Sequence, residues 1–183
     1  MINMKKMNFT TLALMSICMI TAAQTFFLPT SRVDFDAYEQ LVQEVNTYRK
    51  DRLVHLTQFM EMSKEANTII LDARSKEMYD RKHVKGAINI NFSDFTQANL
   101  AKHIPTDSTR ILIYCNNNFD DDPINFASKA YIPRVKKEKE ITLALNIPTF
   151  INLYGYGYKN VYELADLISV FNVDVEFEGT DVD

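Results

Sequence analysis

Apolar positions recur in this chain with two alternating periods. Phe35, Tyr38, Leu41, Val42, Val45 and Tyr48 fall at helical spacing, with Asp34 and Asp36 at the start and Arg49, Lys50 and Arg52 at the end. That charge order complements a helix dipole. The short apolar run Leu53 to Leu56 comes next, and Thr57 is positioned to cap a helix over Gln58 to Lys64. Thr68-Ile69-Ile70-Leu71 reads as a buried strand that ends on Asp72-Ala73-Arg74. Ser75 caps a short helix through Asp80, His83 to Gly86 makes a turn, and Ala87 to Ile90 is a strand. A helix over Ser93 to Lys102 precedes the most regular strand, Arg110-Ile111-Leu112-Ile113-Tyr114, which ends directly on Cys115.

Beyond Cys115 the pattern breaks down. Asn116 to Lys139 reads as a long surface loop with one helical turn, opening on Asn116-Asn117-Asn118, passing Asp120-Asp121-Asp122-Pro123, and closing on a basic stretch with Lys129, Arg134, Lys136 and Lys137. Helical character resumes over Glu140 to Leu153 despite Pro148, followed by a Tyr154 to Tyr158 turn, a strand over Asn160 to Leu164 and a closing helix over Ala165 to Phe171. Residues 174–183 read as a frayed acidic tail. Strands and helices alternating at this interval specify an α/β fold: a central, mostly parallel five-stranded sheet with helices on both faces, plus an N-terminal helical extension. Ligands bind such sheets beyond the carboxyl ends of the strands, where Asp72, Arg74 and Cys115 lie.

The N-terminus changes the picture of where the protein works. Met4-Lys5-Lys6-Met7 is a positive start, Phe9 to Ile20 an apolar run too short to span a bilayer, and Thr21-Ala22-Ala23 a small-residue cleavage site before Gln24. Residues 1–23 therefore read as a signal peptide, 24–52 as a linker and helix, and 53–173 as the main domain. The expectation is an exported protein, periplasmic or secreted, or membrane-anchored if the signal is retained. Ile17 before Cys18 is bulkier than a lipoprotein signal favours. Loss of the signal removes Cys18, so Cys115 becomes the single thiol and no intramolecular disulfide can form.

Composition then narrows the chemistry. The 183 residues carry 20 Lys and Arg against 24 Asp and Glu, so there is no global basic footprint for nucleic acid. His55 and His103 have no ligand-like spacing with other His or Cys, and no metal site is expected.

Ile69 to Arg74, Tyr79, His83 to Ile90, Ile111 to Cys115 and Gly157 to Leu164 together resemble the ordered signature of a single rhodanese domain. The resemblance covers about Leu53 to Phe171 and implies a persulfide-forming Cys115 on a loop whose backbone amides cradle the sulfur. It implies sulfane-sulfur transfer from a small donor such as thiosulfate to a thiol or cyanide acceptor, with no metal or organic cofactor. Asn116, Asn117, Asn118, Phe119, Asp120 and Arg74 become candidate loop and substrate-binding residues, with Asp72, His83 and Gly86 as structural support. Active members resemble one another in having Gly at the loop's fourth position and Arg at its sixth; here Asn118 and Asp120 stand there. Without that arginine, a phosphatase-like use of the loop is disfavoured. Two readings remain open: a sulfurtransferase working through Cys115, and a catalytically silent binding module whose protein partner meets the 116–139 loop.

Overall fold

The computed structural model describes residues 28–134 and 139–182, so the signal-peptide reading, Cys18, Lys136 and Lys137 lie outside the described residues. The chain divides into two units, 1–33 and 34–183. In the first, residues 28–33 are exposed and irregular; everything below concerns the second. No helix among the described residues is long and apolar enough to cross a membrane.

The second unit opens with α1 (Phe35–Tyr48), whose first turn is capped by Asp34 accepting from the Ala37 N–H at 2.9 Å. There follow β1 (Leu53–Val54), α2 (Leu56–Ser63), β2 (Thr68–Asp72), α3 (Lys76–Arg81), β3 (His83–Val84) and β4 (Ala87–Asn89). The middle of the chain supplies α4 (Gln97–His103), β5 (Arg110–Tyr114), β6 (Phe119–Asp120), β7 (Ala130–Tyr131) and β8 (Ile141–Thr142). The last elements are α5 (Asn146–Gly155), β9 (Val161–Leu164), β10 (Ile168–Ser169) and β11 (Phe177–Glu178).

Five strands form the parallel sheet, in the order β1-β9-β5-β2-β4. Its middle strand is buried on both sides, as its unbroken apolar run demands. Ile111 and Ile113 point into one core layer with α1, α4 and α5; Leu112 and Tyr114 point into the other with α2. The register sets Asp72 beside Tyr114, so the chain leaves both strands at the same level and brings Arg74 and Cys115 to one edge.

Several local expectations give way to tertiary partners. α2 begins two residues earlier than a Thr57 cap would allow, because Asp166 accepts from the Leu56 N–H at 2.7 Å and bonds His55 at 2.8 Å. The expected Ser93 to Lys102 helix is broken: Phe92–Asp94 is a single 3-10 turn, Phe95 is extended and buried, and Thr96 caps α4 through the Asn99 N–H at 3.1 Å. The Glu140 to Leu153 helix starts only at Asn146, which puts Pro148 in the first turn, where its missing N–H is not needed.

Ala165 to Phe171 forms no helix. Ile168 and Val170 are buried, and β10 pairs in parallel with β6, which denies this segment the free backbone a helix needs. Nor is the acidic tail frayed. β11 pairs antiparallel with β3, Val175 is buried, and the Phe177 ring packs on Phe119 and Phe126 at 5.1 and 5.7 Å. Gly179 permits this docking, because its φ of +139° is strained for any other residue and a Cβ there would strike the Arg81 carbonyl.

Candidate functional site

Cys115 follows β5 directly and is 2% exposed. It is the N-cap of a 3-10 turn over Asn116–Asn118, so its Sγ accepts from the Asn117 N–H at 3.4 Å. The backbone N–H groups of Leu145 and Asn146, at the start of α5, also turn on the sulfur. Burial pushes the thiol above its ordinary pKa, those three N–H groups pull against the rise, and the Glu163 carboxylate adds to it. The outcome is a protonated thiol in a site prepared for negative charge.

The three asparagines do not offer their side chains to the sulfur; they tie the loop to its surroundings. Asn116 Nδ2 donates to the Ala127 carbonyl at 2.8 Å. Asn117 clamps Lys129 from both sides, accepting from its N–H at 2.7 Å and donating to its carbonyl at 3.2 Å. Asn118 Oδ1 accepts from the Cys115 N–H and from Asn146, both at 3.0 Å, while its Nδ2 donates to the Leu164 carbonyl at 2.8 Å. Asn146 also donates to Glu163 at 3.0 Å, and Glu163 is held by Arg49 at 2.6 Å. A buried polar chain thus runs from Arg49 to the Cys115 backbone.

The sulfur opens on a cavity of about 200 Å³. Its walls come from Arg74, Ser75 and Met78 on one side and from Asn116, Lys129 and Leu145 on the other. Arg74 is 3% exposed, and its guanidinium is committed to Asp72 (2.6 Å), the Asn125 carbonyl (2.9 Å) and the Lys82 carbonyl (2.6 Å). Asp72, fully buried, also accepts from the Tyr114 hydroxyl at 2.6 Å. This pair braces the strand ends and leaves little of Arg74 for a ligand.

Other candidates lie away from the cavity. Phe119 is buried against Tyr114 and Phe126, and Asp120 is exposed in β6; neither lines the cavity, because β6 turns the chain toward β10. Asp122 is engaged by Lys82 at 3.0 Å and by Asn125. The acidic run therefore does not lie over the thiol. His83 stacks on Tyr79 at 3.7 Å and bonds Glu178 at 3.2 Å, while Gly86 takes the turn at φ +78° and donates to the same carboxylate at 2.9 Å. Both hold the tail rather than the cavity. Tyr154 packs on Tyr48, and the Tyr156 hydroxyl donates to the Phe95 carbonyl at 3.0 Å, so neither lines the cavity. Among the described residues no His, Cys, Asp or Glu cluster could hold a metal.

Among the described residues, parts of the 116–139 segment are not surface loop, and the one helical turn expected there is the 3-10 turn Asn116–Asn118. Asn116, Asn118, Phe119, Asn125 and Phe126 are all buried, and β7 pairs with β8 to return the chain to α5. Sequence reasoning missed Met78, Leu145 and Asn146. No side chain caps the Leu145 N-cap of α5, which leaves its first N–H groups free for another acceptor; a helix expected to start at Glu140 hides this.

The chain matches the rhodanese-like domain family over residues 55–166. Among solved structures it is similar to the BH2092 protein from Bacillus halodurans, with 18% identity and a TM-score of 0.47 over 76% of this chain and 86% of the other. It is also similar to a rhodanese with anions from E. coli, with 19% identity and a TM-score of 0.37 over 61% of this chain and 98% of that one. No curated protein matches it. With more than half its length covered by the family, from the start of α2 to the end of the sheet, the chain belongs to the rhodanese-like domain family.

Proposed function

We propose that the chain transfers sulfane sulfur through a persulfide on Cys115. The supporting observation is the convergence of the Asn117, Leu145 and Asn146 N–H groups on a sulfur that opens on a small cavity. In the first step the Cys115 thiolate attacks the outer sulfur of the donor. The new S–S bond forms as the donor's bond breaks, and the electron pair leaves with the donor remnant. An acceptor thiolate or cyanide then takes the outer sulfur and returns the thiolate. The N–H groups stabilise the negative sulfur in both states. An export signal over residues 1–23 completes this reading, placing the activity outside the cytosol.

Intact-mass measurement of the reduced protein after exposure to thiosulfate, and separately to a polysulfide, tests the step. The expected result is a gain of one sulfur atom, discharged by cyanide and absent in Cys115→Ser. No gain from either donor in a folded protein would support the alternative, a silent module whose partner meets the exposed Tyr131, Ile132, Ile141 and Leu143 around β7 and β8.

Burial also sets the pH dependence. Since the thiol's pKa is raised, less thiolate is present at neutral pH than for an ordinary cysteine. Alkylation by iodoacetamide should be slow at pH 7 and should climb with pH to a midpoint above the ordinary cysteine value. A midpoint below it would mean that the N–H groups outweigh burial.

A further inference from the structure

We infer that Arg49, which precedes the residues matched to the family, is a positioning residue for Cys115: it holds the Glu163 carboxylate that anchors the sulfur cradle and keeps that carboxylate's charge off the sulfur. The inference rests on Cys115 being the reacting thiol, and it adds a group from outside the 55–166 segment to the site.

Glu163 lies on β9 opposite Ile113 of β5, two residues before Cys115, and is buried. A charge there is costly, and an apolar side chain such as Val161, two residues earlier on the same face, would serve the sheet better. What the carboxylate supplies is anchorage. Its Oε1 accepts from Asn146 Nδ2 at 3.0 Å, and the same Nδ2 donates to Asn118 Oδ1, also at 3.0 Å. Asn118 Oδ1 in turn accepts from the Cys115 N–H, and the Asn146 N–H turns on the sulfur. One carboxylate thus fixes the cradle on both sides of the cysteine, more firmly than a neutral acceptor would.

The same charge works against the chemistry. Thiolate and persulfide are both anions, a nearby carboxylate opposes their formation, and Glu163 already adds to the rise in the Cys115 pKa. Arg49 answers this charge. Its Nε and Nη2 donate to the two carboxylate oxygens at 2.5 and 2.6 Å, and the fork turns a lone charge into a dipole, whose field falls off faster with distance. Arg49 reaches Glu163 because the 3-10 turn Arg49–Arg52 carries the chain from α1 into β1, the neighbour of β9, where Arg52 packs over the Tyr48 and Tyr162 rings. Arg74, paired with Asp72, and Lys129 are the other charged residues lining the cavity, and both stay unchanged in the variants below.

The pH profile of Cys115 alkylation by iodoacetamide, at constant ionic strength, tests the assignment, with circular dichroism reporting the fold of each variant. Arg49→Gln leaves the carboxylate uncompensated and is expected to move the midpoint up, slowing alkylation at pH 8 about tenfold. Glu163→Gln keeps an acceptor for Asn146 but removes the charge, and is expected to move the midpoint down. The double variant should fall between the two. Arg49→Lys, which keeps the positive charge, should stay within about threefold of the wild type at the same pH. A purely structural role would move both single variants in one direction, because either change opens the same cradle. Shifts of the same sign, or none, overturn the inference. If Arg49→Gln does not fold, Glu163→Gln decides: a midpoint below the wild-type value supports the inference, and one at or above it overturns it. Opposite shifts without sulfur uptake in the mass experiment remove the transfer step and leave the role of Arg49 at the thiol intact; uptake with unmoved midpoints does the reverse.

Discussion

Arg74→Ala is expected to lower the stability of the fold by about 3–5 kcal/mol, the range for removing one partner of a buried ion pair. Asp72 is fully buried and Arg74 nearly so. Without the guanidinium, the Asp72 carboxylate keeps the Tyr114 hydroxyl and the residue-74 backbone N–H but loses its counter-charge. The Asn125 and Lys82 carbonyls lose their donor at the same time. Arg74→Lys should recover little, because an ammonium cannot bond Asp72 and two divergent carbonyls from one position. Urea unfolding reads the difference, and a loss below about 1 kcal/mol would show that the pair is not the brace the geometry makes it.

Deleting residues 174–183 should cost about 2–4 kcal/mol, since buried Val175 and half-buried Phe177 leave the core layer shared with α2, and full burial of such a side chain contributes roughly 1.5–3 kcal/mol. The Phe119 and Phe126 faces they cover would be exposed, and the β3 edge would lose its partner. The docking is also sensitive to acid. The Gly86 N–H, and after it His83, hold the Glu178 carboxyl below its ordinary pKa; Arg81 does the same for Asp181, and Lys85 for Glu176. Groups held down in the folded state stabilise it above the ordinary carboxylate range and lose that contribution as pH falls through their lowered values. Hydrogen exchange of the Lys85 amide, which donates to the Glu176 carbonyl at 2.9 Å, should therefore accelerate on deletion at neutral pH, and in the intact chain below about pH 4. Unchanged protection in the deletion would mean that the tail lies on the fold without holding it.

The readable and unreadable parts of the fold divide on a physical line. The strands over Thr68 to Asp72 and Arg110 to Tyr114 were legible because their apolar runs are dictated by burial on both faces, a demand that needs no knowledge of partners. α1 was legible because its apolar spacing and the acidic residues at its start are local features. The tail was misread because its acidic residues answer cations far away in sequence: Glu176 meets Lys85, and Asp181 meets Arg81. Position 115 was visible as a strand end, and Arg74 as its neighbour across the sheet. Leu145 and Asn146 were not, since backbone N–H groups leave no trace in side-chain pattern. The acidic run looked hostile to an anion only because nothing in the sequence shows β6 carrying Asp120 toward β10.

The sulfur cradle joins N–H groups of residues 117 and 145, so forming it closes a loop far longer than one starting and ending beside the cysteine. Closure entropy rises with the logarithm of loop length, and a fivefold longer loop costs about 1.4 kcal/mol more. That cost falls on the cradle rather than on the sheet, whose strands pair without it. The intervening residues offset it through the Asn116, Asn117 and Asn118 bonds, each of which shortens the free part of the loop. The cradle is therefore a separately cooperative piece of the molecule, able to open while the sheet stays folded. Its local equilibrium, more than the global one, sets how much of the time Cys115 has its full complement of N–H donors.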